Sequence, residues 1–302
     1  YDDAFVVWDW TRVPGTTAVA NQSTADLRWY LFGSNQFGGG VSNAHNGVMA
    51  YEHAYQGVEA RKAYFFMGDA MVCMGSGIKA ARTQEVRTSV NQCLANGEVT
   101  YGLSGHTYRL TNNLSDKNID WAYHDNVGYI FPQNESVTLR KAKQTGAWRE
   151  LEVTASDKPV TKEIFSLWVS HGTTPQHEDY CYIIMPDKPL SYFTDKKFEN
   201  EIKIIVNSEQ IQAISNENKR QYAAVFYEPG EIRFAEDLVV AVNKKVIIYI
   251  EKKDKQYEIA VADPLYKEQS LQLSMNGEQI NIVFPSGDYS GSSVIKHITE
   301  KH

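Results

Sequence analysis

A short polar cluster follows three consecutive glycines at residues 38–40. Consecutive glycines lose much backbone freedom on folding, so they indicate either close approach of the backbone to a ligand or a bulge and sharp bend in a sheet. The polar side chains behind them are Ser42, Asn43, His45 and Asn46. Hydroxyl, amide and imidazole groups of this kind hydrogen-bond sugar hydroxyls. The segment predicts the rim of a carbohydrate-binding cleft, with Asn43, His45 and Asn46 as substrate contacts, and a plain turn is an equal alternative.

Two tryptophans near the start of the chain alternate with an aspartate. In an extended strand, Trp8 and Trp10 would share one face of a sheet and Asp9 would point to the other. The paired indoles are expected to fill a core, with stacking on a sugar ring as the alternative. Arg12 either anchors the loop by pairing with Asp9, which is favoured, or binds a substrate carboxylate or sulfate as a bidentate donor.

The pair His124 and Asp125 suggests a general base oriented by a carboxylate. Adjacent residues of a strand point to opposite faces, so this pair forms only if the chain turns between them. Asp125 and Asn126 are turn formers, and His124 is therefore expected to end a strand and to hydrogen-bond backbone groups. We retain His124 and Asn126 as candidate substrate contacts at this turn.

Metal and nucleotide motifs are missing from the sequence. The eight histidines include no His-x-His or His-x-x-x-His spacing, which leaves a zinc site unsupported. No Gly-x-Ser-x-Gly elbow, phosphate-binding loop or dinucleotide fingerprint is present, and we predict no metal and no cofactor. A group of basic residues is the candidate for a surface patch that binds a polyanion, although most runs of basic residues form solvated faces. These residues are Arg82, Arg87, Arg140, Lys141, Lys143 and Arg149.

Composition indicates an ordinary globular protein rich in β structure. The 302 residues are 42% hydrophobic and 22% charged, with 18 tyrosines that favour strands. The net charge of −7 argues against a nucleic-acid partner, and no run of about 18 apolar residues could span a membrane. No signal peptide precedes the first strand-like run, which does not bear on secretion. Among the three cysteines, a Cys73–Cys93 bridge is possible, but buried free thiols are favoured.

Strands dominate the first 200 residues. Two strands are predicted around a turn at Gly68 and Asp69, and a strand-like run covers residues 4–8. Residues 141–151 are expected to form a loop with a short helical turn. Turn residues separate the strands at short intervals, which favours antiparallel sheets. Further strands are predicted at 86–94, 121–131, 136–139, 163–170 and 180–185.

After residue 200 the strands become short, aliphatic and evenly spaced. Asn276-Gly277 between alternating apolar residues predicts a hairpin with a type I′ turn. A second hairpin is predicted for residues 246–261, with a charged loop. Seven strands in roughly 100 residues are typical of a small β-sandwich. We therefore expect two domains, a large antiparallel β-sandwich at residues 1–200 and a smaller one at residues 201–302.

Several of these segments resemble a known family in order and in spacing. The segments 8–17, 37–42 and 60–66 resemble the front of the β-sheet half of polysaccharide lyase family 8, and the later segments 119–132 and 167–172 resemble further motifs of it. That family includes chondroitin AC and ABC lyases, hyaluronate lyases and xanthan lyases. The resemblance covers most of residues 1–190, whereas residues 200–302 match only a generic sandwich pattern.

The resemblance implies a polysaccharide substrate, chondroitin sulfate or hyaluronan in preference to xanthan, that is cleaved by β-elimination next to a uronate. In the family the catalytic residues lie mostly on a preceding helical toroid, so that domain is an expected partner and no catalytic residue is predicted in this chain. Some members hold calcium near the Trp-x-Trp segment. Here Thr11, Ala20 and Asn21 stand where further carboxylates are expected, which argues against that ion. The family also implies a bacterial protein that is secreted or periplasmic.

A different class of function fits the same residues. A stand-alone carbohydrate-binding or adhesion module could use this sheet fold without catalysis, because a fold alone does not establish an activity.

Overall fold

The computed structural model describes residues 4–20, 35–81 and 83–300, and Arg82 of the predicted basic patch lies outside them. Two short helices are α1 (Ala4–Val7) and α2 (Leu190–Thr194). The strands before α2 are β1 (Thr17–Val19), β2 (Gly38–Ser42), β3 (Gly47–Tyr55), β4 (Val58–Met67), β5 (Ala70–Ala80), β6 (Glu85–Leu94), β7 (Thr100–Leu103), β8 (His106–Arg109), β9 (Leu114–Lys117), β10 (Trp121–His124), β11 (Val127–Ile130), β12 (Ser136–Gly146), β13 (Val160–Thr173) and β14 (Glu178–Pro186). Those after α2 are β15 (Lys203–Asn207), β16 (Ile211–Asn216), β17 (Gln221–Phe226), β18 (Gly230–Ala235), β19 (Leu238–Val242), β20 (Val246–Lys253), β21 (Gln256–Ala262), β22 (Ser270–Met275), β23 (Glu278–Val283) and β24 (Val294–Thr299).

These strands form four antiparallel sheets, named A to D here. Sheet A has the order β1-β6-β13-β12-β9, and sheet B has the order β2-β3-β4-β5-β14-β11-β10-β7-β8. Sheet C has the order β15-β16-β17-β20-β21-β24, and sheet D has the order β18-β19-β22-β23. The all-β prediction is confirmed, with a large sandwich followed by a smaller one. No described strand belongs to both halves, and residue 200 lies in the connection between α2 and β15.

Three apolar layers join the four sheets into one stack. Between sheets A and B the layer includes Val137, Phe165, Ile78 and Tyr182. Between sheets B and C it includes Phe65, Ile183, Val225 and Tyr249. Between sheets C and D it includes Ile248, Ile259, Val240 and Leu273. Sheets B and C are therefore buried on both faces, which explains why their strands carry long apolar runs.

The predicted hairpins are confirmed. β4 and β5 meet at Met67 and Ala70, around the turn at Gly68 and Asp69. Asn276 and Gly277 both have positive φ angles, 51° and 84°, as a type I′ turn requires. β20 and β21 form the other hairpin, with residues 254 and 255 in the turn.

Two local predictions are wrong. Residues 4–7 form the helix α1 instead of a strand, because its Val6 and Val7 pack on the outer face of sheet A with Ile164. Residues 141–146 belong to β12, which pairs with β13 along its full length, so the predicted loop is wrong there, whereas the predicted helical turn is found at residues 148–150. Pairing with a long neighbouring strand overrides the weak local preference of such a segment.

No helix among the described residues is long and apolar enough to cross a membrane.

Candidate functional site

An open groove of about 690 Å³ runs along the edge strand β2 and its neighbour β3. The β2–β3 turn closes one end, and the C-terminal half contributes Tyr266 and Ser293 to the rim. His45 and Asn46, two of the predicted substrate contacts, line the groove. The groove therefore combines residues from both halves of the chain.

The three glycines form a regular part of β2, without the predicted bulge or bend. Each pairs in register with β3, from Gly38 opposite Tyr51 to Gly40 opposite Met49. A Cβ on Gly39 would lie 3.3 Å from the Cα of Pro264. Close approach is thus the reason for glycine at residue 39, but the approaching group is the backbone of the C-terminal half.

Asn43 organises the turn at the end of the groove. It is 8% exposed, and its side-chain oxygen accepts hydrogen bonds from the amides of His45 and Asn46 at 3.2 and 2.9 Å. Its amide group donates to the carboxylates of Glu251 and Glu258 at 3.0 and 2.9 Å. Asn43 therefore fixes the turn on sheet C, and the exposed His45 and half-buried Asn46 are better placed to touch a ligand.

Apolar and aromatic side chains form the floor of the groove. Met49 and Phe66 are 46% and 44% exposed. Both project from the face of sheet B that, elsewhere in the sheet, packs on sheet A. Tyr51 lies beside them, and Tyr266 is 53% exposed on the opposite rim. Aromatic faces with amide and hydroxyl groups at the edge suit a sugar ring, which has apolar CH faces and polar edges.

A buried lysine lies behind this floor. Lys62 is fully buried and stands directly across from Tyr51 on the neighbouring strand. Its Nζ lies 6.0 Å from the ring centroids of Tyr51 and Tyr64, and it donates a hydrogen bond to the carbonyl of Gly15. Burial lowers the pKa of Lys62 to about 7.

The other titratable groups around Lys62 are neutral near pH 7. Burial and the nearby Lys62 lower the pKa of His53 to about 4 and that of His171 to about 3. Burial raises the pKa of the Cys73 thiol to about 12. Lys62 is thus the group of this described cluster that changes charge near neutral pH.

Arg12 is engaged away from the groove. Its Nε lies 2.6 Å from a carboxylate oxygen of Asp9, and its guanidinium lies 4.9 Å from the ring centroid of Trp168. The structure thus favours the anchoring role for Arg12. Trp8 and Trp10 do not follow the predicted alternation in a strand, since they lie in the turn after α1, and Trp10 is 37% exposed.

The same loop does not fit a calcium ion. Of the two oxygens of Asp9, one accepts hydrogen bonds from the amide and hydroxyl of Thr11 and the other pairs with Arg12. Calcium needs six to eight oxygen ligands, and a cation beside Asp9 already balances its charge. Among residues 4–20, 35–81 and 83–300, no group of three or more potential metal ligands is found.

His124 and Asn126 lie at the β10–β11 turn, away from the groove lining. His124 ends β10 as predicted, but it is 1% exposed and stacks on Phe165 at 4.5 Å, so a saccharide has no access to it in this structure. Its Nδ1 faces the Cys93 sulfur at 3.7 Å instead of a backbone group. Asn126 is exposed and accepts a hydrogen bond from the Tyr123 hydroxyl at 3.1 Å.

Two of the basic residues predicted for a polyanion patch are paired with carboxylates. Arg87 pairs with Glu85 at 2.5 Å, and Lys141 pairs with Glu163 at 3.3 Å. These pairs lie on sheet A, so they do not supply positive charge to the groove. The three cysteines are free thiols.

Comparison with known proteins identifies the family. The model of the polysaccharide lyase family 8 super-sandwich domain matches residues 1–197, and that of the C-terminal β-sandwich domain of the same family matches residues 203–272. The chain belongs to polysaccharide lyase family 8. A chondroitinase AC from Pedobacter heparinus is 31% identical over 97% of the chain, and a hyaluronate lyase from Thermasporomyces composti is 24% identical over 94% of it.

Solved structures agree with this assignment to family 8. A chondroitinase AC lyase solved with oligosaccharides superposes with a TM-score of 0.91 at 29% identity, over 98% of the chain and 45% of that enzyme. A Paenibacillus xanthan lyase gives 0.86 at 20% identity over 100% of the chain and 32% of its own length, which supports the fold alone. The chain spans 43% and 37% of the two curated relatives. It therefore corresponds to the β-sandwich portion of family 8 enzymes.

Sequence reasoning missed the floor of the groove and the lysine behind it. Phe66 and Lys62 lie in segment 60–66, which is predicted as a strand and resembles a family motif but carries no predicted site residue. The alternation of residues along β4 gives a signal, since Lys62 shares a face with two aromatic residues, Tyr64 and Phe66. Tyr266 could not be found in this way, because its contribution depends on how the two halves pack.

Proposed function

We propose that this protein is the β-sheet wall of a glycosaminoglycan lyase, acting on chondroitin or hyaluronan. The groove beside β2 carries the proposal, because it exposes aromatic side chains next to an amide and an imidazole on a rigid sheet. The family relatives are named as chondroitin, hyaluronan and xanthan lyases. Chondroitin is preferred over xanthan because the chondroitinase AC is 31% identical and the xanthan lyase 24%, whereas the hyaluronate lyase, also 24% identical, does not separate hyaluronan from xanthan.

The chemistry of such an enzyme is β-elimination. A base removes the proton at C5 of the uronate, charge develops on the carboxylate, and an acid protonates the leaving glycosidic oxygen. The described groove lining contains His45 but no lysine, arginine, aspartate or glutamate. We therefore assign to this chain the binding and orientation of the saccharide, and to a helical partner domain the proton transfers.

The decisive experiment measures the ultraviolet absorbance of unsaturated uronate when the chain meets chondroitin sulfate, first alone and then with a helical domain of a family 8 lyase. We expect no product from the chain alone and product with the partner. Product from the chain alone would contradict the assignment of catalysis to the partner.

Binding by the groove is tested separately with Phe66→Ala. Aromatic stacking contributes about 1 kcal/mol, so we expect affinity for a chondroitin oligosaccharide to fall roughly fivefold to tenfold in a calorimetric titration. Tyr108→Ala is the matched control, because Tyr108 is 43% exposed on β8, at the opposite edge of sheet B. Equal effects of the two substitutions would contradict the groove as the binding site.

The second candidate is a non-catalytic carbohydrate-binding module. The lack of a carboxylate, lysine or arginine side chain in the described groove lining favours it. Saccharide binding without product, even with the helical partner, would support this alternative over the lyase.

We further propose that the protein acts outside the cytoplasm, where such polysaccharides occur, and that its two domains divide near residue 200. Secretion is checked by fractionating the source bacterium and locating the protein by antibody. The boundary is checked by limited proteolysis, which should cut preferentially between α2 and β15.

A further inference from the structure

The position of Lys62 relative to the groove has a consequence for ligand choice. The Tyr51 ring lines the groove, and the Lys62 ammonium lies 6.0 Å from the centre of that ring. Lys62 itself is fully buried, so it does not touch a ligand in the groove. Charge can nevertheless act across one aromatic ring.

Lys62 is a buried cation without a carboxylate partner. Its Nζ hydrogen-bonds the neutral carbonyl of Gly15, and three tyrosine rings lie about 6 Å away, including Tyr180 at 5.9 Å. No salt bridge of Lys62 is found among the described residues. A buried cation without a counter-ion is costly, so a negative charge arriving nearby would be stabilised by it.

The surrounding groups do not supply that negative charge. The titratable groups facing Lys62 come from five strands: Tyr51 and His53 of β3, Tyr64 of β4, Cys73 of β5, Tyr180 of β14, and His171 of β13. Burial keeps the tyrosines and the thiol protonated and the two imidazoles neutral. The protein as a whole is acidic, with a net charge of −7. An acidic saccharide therefore needs a local cation, and the described groove lining offers no lysine or arginine.

We propose that Lys62 is a specificity-determining residue that makes the Tyr51 end of the groove prefer a carboxylated or sulfated sugar over a neutral one. This inference rests on the proposed carbohydrate binding by the groove. A carboxylate of a bound sugar at the positive edge of the Tyr51 ring would lie about 10 Å from the Lys62 ammonium, because the ring centre is 6.0 Å away and van der Waals contact adds about 4 Å. At an effective dielectric constant of about 20, the attraction corresponds to roughly tenfold in affinity.

The proposal predicts a link between binding and protonation. A negative ligand favours the charged form of Lys62, so binding of the acidic sugar takes up a proton near neutral pH. Affinity for the acidic sugar should then increase roughly tenfold from about pH 8.5 to about pH 6. A neutral sugar should show no such change.

The test compares a hyaluronan oligosaccharide with its carboxyl-reduced, neutral counterpart by calorimetric titration at both pH values. In Lys62→Met we expect the pH dependence and the preference for the acidic sugar to disappear, while binding of the neutral sugar persists. Lys79→Met is the matched control, because Lys79 is an exposed lysine of the same sheet that pairs with Glu59. It should behave as the wild type.

Three results would overturn the proposal. An unchanged preference for the acidic sugar in Lys62→Met is one of them. Another is a pH dependence that survives in Lys62→Met and disappears in His45→Gln, which would assign the effect to the rim histidine. Failure of both sugars to bind the wild type would instead reject the groove as a saccharide site, and the role of Lys62 with it.

A direct measurement on the wild-type protein covers the case in which Lys62→Met does not fold. NMR titration of the Lys62 side-chain carbon next to the amine follows its pKa with and without sugar. We expect the acidic oligosaccharide to raise that pKa by about one unit and the neutral one to leave it unchanged. Equal pKa values with both sugars would contradict the proposal.

Discussion

At the scale of single residues, the structure separates side chains that were predicted together. Asn43, His45 and Asn46 do meet at one turn, but Asn43 is bonded to Glu251 and Glu258 of sheet C. The sequence could predict the turn from its polar residues. It could not predict the carboxylate partners of Asn43, because they are more than 200 residues away along the chain.

Lys62 should leave a signature in the pH dependence of stability. Its pKa is about 7 in the folded protein and 10.5 ordinarily, so between these values the unfolded chain binds more protons. Stability attributable to this group therefore rises with pH, by about 2 kcal/mol from about pH 7 to about pH 9. Urea denaturation should show this rise in the wild type and lose it in Lys62→Met. A parallel pH dependence of the two proteins would show that Lys62 is not buried as a titrating group.

Glu135 is expected to act in the opposite direction. It is 6% exposed, one of its oxygens accepts a hydrogen bond from the Cys181 amide at 2.8 Å, and the other has no partner among the described residues. Burial raises its pKa from 4.5 to about 7, so stability is lost as pH rises through this window.

Glu135→Gln keeps the accepting oxygen and removes the charge. We expect this variant to match the wild type at about pH 5 and to be about 2 kcal/mol more stable at about pH 8 in denaturant titrations. Equal stabilities at about pH 8 would refute the raised pKa.

At the scale of elements, local patterns predicted hairpins well and isolated segments poorly. Asn276-Gly277 sets its own turn through two positive φ angles, which any fold must respect. The run at residues 4–8 has no such constraint. Its apolar residues can be buried by a helix that packs on sheet A as well as by a strand. Residues 47–55, which supply the groove floor, were missed because β3 mixes polar and aromatic residues without clear alternation.

The strand β2 offers a matched pair of glycine substitutions. A Cβ on Gly40 would lie 2.9 Å from the carbonyl oxygen of Val48, whereas one on Gly38 would be in ordinary contact with Tyr51 at 3.7 Å. We expect Gly40→Ala to destabilise the protein by about 1–3 kcal/mol and Gly38→Ala to change its stability by less than about 0.5 kcal/mol. Thermal or urea unfolding measures both. A larger loss for Gly38→Ala than for Gly40→Ala would contradict the register of β2 on β3.

At the scale of the whole molecule, the composition change near residue 200 suggests that the two halves of the chain fold independently. The packing between them does not support this. The layer between sheets B and C is a continuous core, in which Phe37 contacts Tyr227 with ring centroids 4.7 Å apart. The sequence could indicate two sandwiches from strand spacing. It could not indicate the contact between the sandwiches. Both faces of sheet C are apolar, so the sequence pattern does not show which face packs on sheet B.

This shared core predicts that the two halves unfold together. All six tryptophans precede residue 200, so tryptophan fluorescence reports the first half alone, whereas circular dichroism reports both. We expect the two signals to give one coincident transition, as cooperative unfolding requires.

Val240 is buried between sheets C and D, far from every described tryptophan along the chain. Val240→Ala should therefore lower the midpoint seen by fluorescence as much as that seen by circular dichroism, because its loss of about 1–3 kcal/mol is felt by the whole unit. Val283→Ala, at a residue that is 65% exposed on sheet D, is the control and should shift neither signal. If Val240→Ala moves only the circular dichroism transition, the halves unfold separately, and the layer between sheets B and C is a weak contact and not a common core.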